Sequence, residues 1–205
     1  LSIRRQRQMC IRDRPKTKAV YSNVGWAVAG FIIDNISGRS YEDLLQQKIF
    51  NPLQMVNVKI GGWPASEKEP LQPRGHYPGE KSPKPQELND DYIFPDWMNP
   101  AGGVHCSILD YALFAKDNLS GLNGRGQILT KESYKKIHSV QEVSSMKDMY
   151  IGTNQDGEGT FGYGWGLAPV ENDYISLADG SGGTFYARLV TVSYTHLRAH
   201  ETKAN

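Results

Sequence analysis

The chain has 205 residues, of which 39% are hydrophobic, 22% charged and 10% aromatic, enough for one sizeable core or two small ones and unlike a disordered or solvating polypeptide. No apolar run reaches the roughly eighteen residues that a membrane-spanning helix needs. The two cysteines, Cys10 and Cys106, are too few for a disulfide framework and lack the Cys-x-x-Cys spacing of a zinc site.

The formal net charge of +1 is unevenly spread. The N-terminal charges Arg4, Arg5, Arg7, Arg12, Asp13 and Arg14 continue where a signal peptide would turn apolar. Residues 8–14 and 192–202 both resemble translated sequencing-adapter read-through. Segments 1–14 and 192–205 are therefore set aside as non-native, and residues 15–191 are read as a partial domain. Without the five Arg and Asp13 of the first segment and Arg198, Lys203 and Glu201 of the second, 16 basic residues face 20 acidic ones, a net charge of −4. No basic stripe remains to meet phosphates, so nucleic acid is discarded as a partner. The same step removes His196, His200 and Glu201, whose helical spacing could otherwise hold a metal; no metal or cofactor is expected.

From Ser22 onward Val24, Val28, Ile32 and Ile36 recur four apart, with Ala27 and Phe31 beside them. This is a helical period, and Gly38 stands where a left-handed terminus favours glycine. Ser40 caps a second helix with Asp43 three residues on; Tyr41, Leu45 and Ile49 share one face before Asn51-Pro52 stops it. Residues 61–97, rich in Pro, Gly, Lys and Glu, have no period and read as a long surface excursion of the kind that lines a cleft. Residues 99–103 form a turn of small residues. Ser107 and Asp110 cap a third helix with Ile108, Ala112, Ala115 and Leu119 as its buried face, and a fourth begins at Thr130 and carries Tyr134 and Ile137. After residue 160 the period falls to two. Residues 161–167 alternate large side chains with glycine as one strand, and residues 174–177 and 184–190 form two more around a turn at 179–183. Helices first and antiparallel strands last imply an α+β fold, an antiparallel sheet covered by helices.

The chemistry-bearing candidates each have a bland counterpart. Ser181 sits in a glycine-rich turn, but a Gly-x-Ser-x-Gly elbow needs glycine where Asp179 stands. His105 reads as a turn histidine bonded to backbone and Cys106 as a small buried hydrophobe, rather than parts of a chymotrypsin-like site. Ser-x-x-Lys, a serine one helical turn from a lysine that can take its proton, occurs at Ser133/Lys136 and Ser144/Lys147. Neither opens an apolar helix, and both read as solvated surface. Tyr21, Ser22 and Asn23 precede an apolar helix, where phenol and carboxamide two apart could share a cleft. From spacing alone, Ser22 or Asn23 capping the helix while Tyr21 packs ahead of it is the preferred reading.

Taken together, Tyr21-Ser22-Asn23-Val24-Gly25-Trp26, Ser37-Gly38-Arg39-Ser40-Tyr41, Ile49-Phe50-Asn51-Pro52-Leu53, the Pro100-Ala101-Gly102-Gly103 segment running to Ser107, and Tyr163-Gly164-Trp165-Gly166 resemble the serine beta-lactamase-related family. The likeness is strongest to its class C, penicillin-binding and esterase-like branch and runs from about residue 19 to 190. The resemblance implies an incomplete beta-lactamase/transpeptidase-like domain whose parent is a serine hydrolase. In such enzymes a serine attacks an ester, amide or lactam carbonyl, tyrosine and lysine shuttle its proton, and water releases the acyl group. Serine and lysine there form a Ser-x-x-Lys upstream of Tyr-x-Asn. This chain begins too late to contain that motif, so by itself it is expected to be inactive.

By the same resemblance Tyr21 is the acid/base partner and Asn23 a donor to substrate and lysine. The Lys-Thr-Gly or His-x-Gly motif aligns with Ala178-Asp179-Gly180. Gly180 would admit substrate to the strand edge, and the Ser181 N–H would be an oxyanion donor. Two departures stand out. Ala178 replaces the family's cation, which weakens a claim to antibiotic hydrolysis and suits an ester or small amide, and Gln54 replaces the glycine usual after Pro52-Leu53. The substrate is expected to be a small molecule or peptide, and family habit implies a periplasmic or extracellular setting. The alternative is a non-catalytic peptide- or cell-wall-binding protein on the same fold.

Overall fold

A computed structural model describes residues 20–61, 73–77, 79, 82–87, 95–140, 142–145, 158–170 and 173–192. Segment 1–14, Lys147, His196, His200 and Glu201 lie outside the described residues, as does segment 192–205 apart from Val192.

Helix α1, Asn23–Ser37, starts as its capping chemistry dictates: the Ser22 side chain accepts from the Gly25 N–H at 3.0 Å, and Gly38 ends the helix at φ 67°. The apolar stripe faces outward, with Phe31 68% and Ile36 83% exposed. The buried side is set by Gly30, where an added Cβ would overlap the Pro100 ring. Glycine there lets α1 close on α3, Asn99–Gly102. Residues 99–103 are thus one helical turn rather than an irregular one, because Pro100 sits at the start of a helix, where its missing N–H costs nothing.

Helix α2, Tyr41–Leu45, is capped by Ser40 and widens into a π-helical turn, Gln46–Phe50. The chain then reverses at Gln54, whose φ of 58° makes it the one non-glycine residue with positive φ among those described. The left-handed conformation that glycine would adopt freely is thus kept, at about 1–2 kcal/mol for a side chain there. Phe50, Leu53 and Met55 form a buried cluster, with Leu45, Ile49, Cys106, Leu113 and Phe114 packed around it.

Strand β1, Val58–Ile60, pairs antiparallel with β4, Val104–Cys106, so His105 and Cys106 stand in a small sheet and not in a turn. Within the excursion β2, His76–Tyr77, pairs with β3, Lys84–Pro85. Helix α4, Ile108–Leu122, is capped by Ser107, and α5, Lys131–Ile137, by Thr130. The expected apolar face of α4 is corrected: Ile108 is 78% exposed and Leu119 is also exposed, while Asp110, Asp117, Asn118 and Gly121 are buried. Periodicity counts apolar residues, and here the buried face is polar and satisfied by hydrogen bonds.

The main sheet is an antiparallel meander of β5, Glu142–Ser145; β6, Glu158–Phe161; β7, Gly166–Val170; β8, Asp173–Ser181; and β9, Tyr186–Val192. The single strand expected over 161–167 is two strands, joined by a turn in which Gly162 N–H donates to Trp165 O at 2.8 Å and Gly164 takes φ 81°. The turn expected at 179–183 falls at 182–185, since Asp179, Gly180 and Ser181 all pair with β9. Trp165, 5% exposed, stacks on Phe114 at 6.5 Å and joins α4 to the sheet.

Candidate active site

Tyr21 and Asn23 stand at the start of α1, both exposed, and the Tyr21 hydroxyl donates to Asn23 Oδ1 at 2.8 Å. Ser22, not Asn23, is the capping residue. One turn further on, Trp26 approaches the β6–β7 turn: a Cβ built on Gly164 would lie 4.0 Å from its Cη2. The Tyr-x-Asn end of α1 and the start of β7 therefore share a boundary.

The second group lies on β8. Its pairing with β7 ends at Gly166↔Leu177, whereas its pairing with β9 continues to Ser181↔Tyr186. Ala178, Asp179, Gly180 and Ser181 overhang β7, leaving one side of the strand unpaired among the described residues. The β8–β9 turn fixes which groups face that side. Gly182 N–H donates to Phe185 O at 3.1 Å, and inward and outward positions alternate along an antiparallel pair. The N–H groups of Ser181 and Asp179 therefore point away from β9, into the open side. A Cβ at Gly180 would meet nothing within 4 Å, so no packing among the described residues demands glycine there. Ala178 shares a sheet face with Ser176 two residues earlier, and Ser176 contacts the helical layer through His138. A cation at 178 would have projected toward those helices; the methyl group that stands there brings none.

Asp179 lies on the opposite face, bound through two oxygens by Arg188 at 2.8 and 2.9 Å. That guanidinium holds the Asp179 carboxyl below its ordinary range. The pair is exposed and serves as a cross-strand rung. Asn23 and Ser181 hold to their own surroundings: Asn23 accepts from Tyr21, and Ser181 Oγ accepts from Gly183 N–H at 3.3 Å.

The remaining candidates do not form nucleophiles. Burial, and then Asp110, push the Cys106 thiol up, the reverse of what a reactive thiolate needs. Ser133 and Thr130 bond one another at the start of α5, and Lys136 Nζ is turned to the Tyr163 ring at 5.6 Å. Among the described residues no group of three His, Cys, Asp or Glu is placed to hold a metal ion, and no helix is long and apolar enough to cross a membrane.

Sequence reading missed a buried polar network below β8. The Tyr134 hydroxyl, fully buried, donates to Asp117 Oδ2. His138 bridges Asn118 and Ser176. The available signal was a polar, non-repeating set, Asp117, Asn118 and His138, on elements otherwise read as amphipathic.

The beta-lactamase family profile matches residues 3–195. Over 153 residues the chain is 28% identical to the unguisins hydrolase ungD' of Aspergillus campestris (strain IBT 28561), covering 73% of this chain but only 27% of that protein. The octameric penicillin-binding protein homologue from Pyrococcus abyssi superposes with a TM-score of 0.64 at 22% identity, over 88% of this chain and 37% of that one. The D-amino acid amidase from Ochrobactrum anthropi, in complex with L-phenylalanine amide, gives 0.56 at 23%, over 82% and 45%. The class C beta-lactamase from Rhodobacter sphaeroides gives 0.60 at 16%, over 85% and 52%. The chain thus spans about a quarter of the curated relative and between a third and a half of these solved structures. With an α+β fold of helices on an antiparallel sheet and a match over nearly its whole length, the chain belongs to the beta-lactamase family.

Proposed function

We propose that this chain supplies the Tyr-x-Asn and substrate-strand portion of a serine hydrolase that works through an acyl-enzyme on an ester, amide or lactam carbonyl. The observation that carries the reading is the overhang of β8, where the Ser181 N–H points away from β9 on a side left unpaired among the described residues, beside a glycine that their packing does not require. A carbonyl placed against that edge has a donor for its developing oxyanion. Tyr21 is the acid/base partner, passing its own proton on toward the leaving group as it takes the nucleophile's, and Asn23, to which the Tyr21 hydroxyl donates at 2.8 Å, orients substrate. The names of a hydrolase and an amidase among similar proteins support the reaction class. With Ala178 in place of a cation, the substrate is an uncharged ester or small amide rather than an anionic antibiotic.

The serine that such a mechanism needs is not provided by Ser133 or Ser144, the two Ser-x-x-Lys serines of this chain. Catalysis belongs to a longer protein, and the chain alone is inactive. The test is Tyr21→Phe in a longer protein that carries this chain behind a Ser-x-x-Lys helix, assayed on p-nitrophenyl esters and a chromogenic lactam. Turnover should fall about 10²–10⁴-fold, the usual worth of a positioned acid/base group; unchanged turnover would refute the role. Ala178 favours a second reading, a non-catalytic protein that binds peptide or cell-wall fragments along the same edge. It predicts binding without acyl transfer in that longer protein.

A further inference from the structure

The imidazole of His138, at the end of α5, lies between the helical layer and the sheet. Nε2 is 3.1 Å from Asn118 Oδ1 on α4, and Nδ1 is 2.8 Å from Ser176 Oγ on β8. The Trp165 ring lies over it, with centroids 4.4 Å apart. Asn118 Nδ2 donates to Phe114 O at 2.9 Å, which turns Oδ1 toward the histidine. An oxygen can only accept, so Nε2 must carry the hydrogen, and in a neutral ring Nδ1 is left with its lone pair. Ser176 O–H then donates to it. Asn118, Ser176 and Trp165 are each at most 5% exposed.

Serine, histidine and asparagine in this order have the connectivity of a nucleophile, its base and an orienting group. Two observations exclude that use: the Ser176 hydroxyl is sealed from any substrate, and burial pushes His138 down to about 4, too acidic for an effective base near neutrality. The arrangement ties three elements together instead. Ser176 lies two residues before Ala178 on the same face of the strand, so its anchoring sets where the overhang at residues 178–181 stands.

We propose that His138 is a clasp that holds the overhanging strand β8 against the helical layer, and that acid opens it. The neutral ring suits both partners. A second proton would sit on Nδ1, force the Ser176 hydroxyl to turn from donor to acceptor and charge a ring that has no carboxylate bonded to it among the described residues. Of the groups facing the ring, Asn118 and Ser176 are neutral. Asp117, beside Asn118 on α4, is committed to Tyr134 and to the Gln127 N–H at 2.7 Å, and Lys136 of α5 is turned to Tyr163. The sign follows. The folded histidine binds its proton below the ordinary 6.5, so the clasp contributes fully above about 6.5 and is lost as pH falls toward 4. A catalytic consequence for the strand rests on the function proposed above; the clasp itself does not.

The test is long-range ¹⁵N–¹H NMR of the whole chain across pH 7.5 to 4, with His138→Gln to assign the ring among five histidines, together with amide exchange along β8. The expected result is an Nε2–H tautomer that stays neutral through about pH 5.5, with protection at Ser176, Leu177 and Ala178 lost as it charges. His138→Gln, neutral with a donating NH₂ and an accepting carbonyl, should keep that protection under acid conditions in which the parent loses it. Ser176→Ala should raise the pH at which the ring charges. A ring that titrates near 6.5 with no change in β8 exchange, or an Nδ1–H tautomer, overturns the proposal. If the clasp titrates as expected while the longer protein binds ligand without acyl transfer, the hydrolase reading fails and the clasp stands.

Discussion

Replacing Tyr134 by Phe removes one oxygen from the most enclosed side chain described and leaves the ring in place. The Tyr134 hydroxyl donates to Asp117 Oδ2 and accepts from the Ile128 N–H at 3.3 Å. Asp117 is 3% exposed, and its other oxygen is met by the Gln127 N–H at 2.7 Å. After the substitution a buried carboxylate oxygen has lost its donor and a backbone N–H its acceptor. A buried polar group left unsatisfied costs about 1–3 kcal/mol, with the charged acceptor toward the upper end. We therefore expect about 3 kcal/mol, a large part of the roughly 5–15 kcal/mol that holds a small domain together.

Urea unfolding followed by tryptophan fluorescence, which buried Trp165 reports, should show the midpoint falling with an unchanged slope. Pairing the change with Asp117→Asn in a double-mutant cycle should return a coupling of about 1–2 kcal/mol, because a neutral amide no longer suffers an uncompensated charge. Burial and the Asp117 bond push the Tyr134 hydroxyl up to about 12. Its stabilisation is accordingly full below about pH 10 and lost as pH rises through 12, a loss that Tyr134→Phe should abolish. A midpoint that moves by less than about 0.5 kcal/mol equivalent would show that Asp117 finds its hydrogen elsewhere and would refute the reasoning.

Two glycines should answer oppositely to alanine. Gly30→Ala drives a methyl group into Pro100 and should cost about 1–3 kcal/mol as overpacking, whereas Gly180→Ala meets open space and should leave urea stability within about 0.5 kcal/mol. A stability loss at Gly180 would mean that its glycine serves the fold and not an approaching ligand. Asp110, 3% exposed, accepts from the Asn57 N–H at 2.7 Å and the Val56 N–H at 3.3 Å, tying the start of α4 to the chain before β1. Asp110→Ala should cost about 2 kcal/mol, read calorimetrically as a Tm lowered by roughly 4–8 °C; an unchanged Tm would show the tie to be idle.

What the sequence disclosed about the fold was mainly what is settled within one turn of chain. Ser22, Ser40, Ser107 and Thr130 each cap the helix they announce, because donor and acceptor are three residues apart. Tyr21 and Asn23 were named through the family resemblance, since their spacing alone suited a helix cap as readily as a cleft. Burial is a relation between distant segments, and there local pattern misled. The face of α4 that packs inward carries Asp117 and Asn118, whose partners Tyr134 and His138 are 17 and 20 residues away. Likewise, alternation over 161–167 gave no notice that Gly164 would turn the chain back. Ala178, Gly180 and Ser181 could be named from their motif. That the Ser181 N–H faces outward depends on β7 stopping one residue short of Ala178, which only sheet pairing reveals.

The outward stripe of α1 bears on how the chain behaves as a colloid. Val24, Val28, Phe31, Ile32 and Ile36 stand exposed along one helix whose other side is already fastened to Pro100 through Gly30. A helix that is apolar on both sides belongs in an interior; presented to water, it attracts any similar surface, including its own in a second molecule. Handled alone, the chain should therefore associate through this stripe as its concentration rises. Dilution, mild detergent or a covering polypeptide should oppose that association.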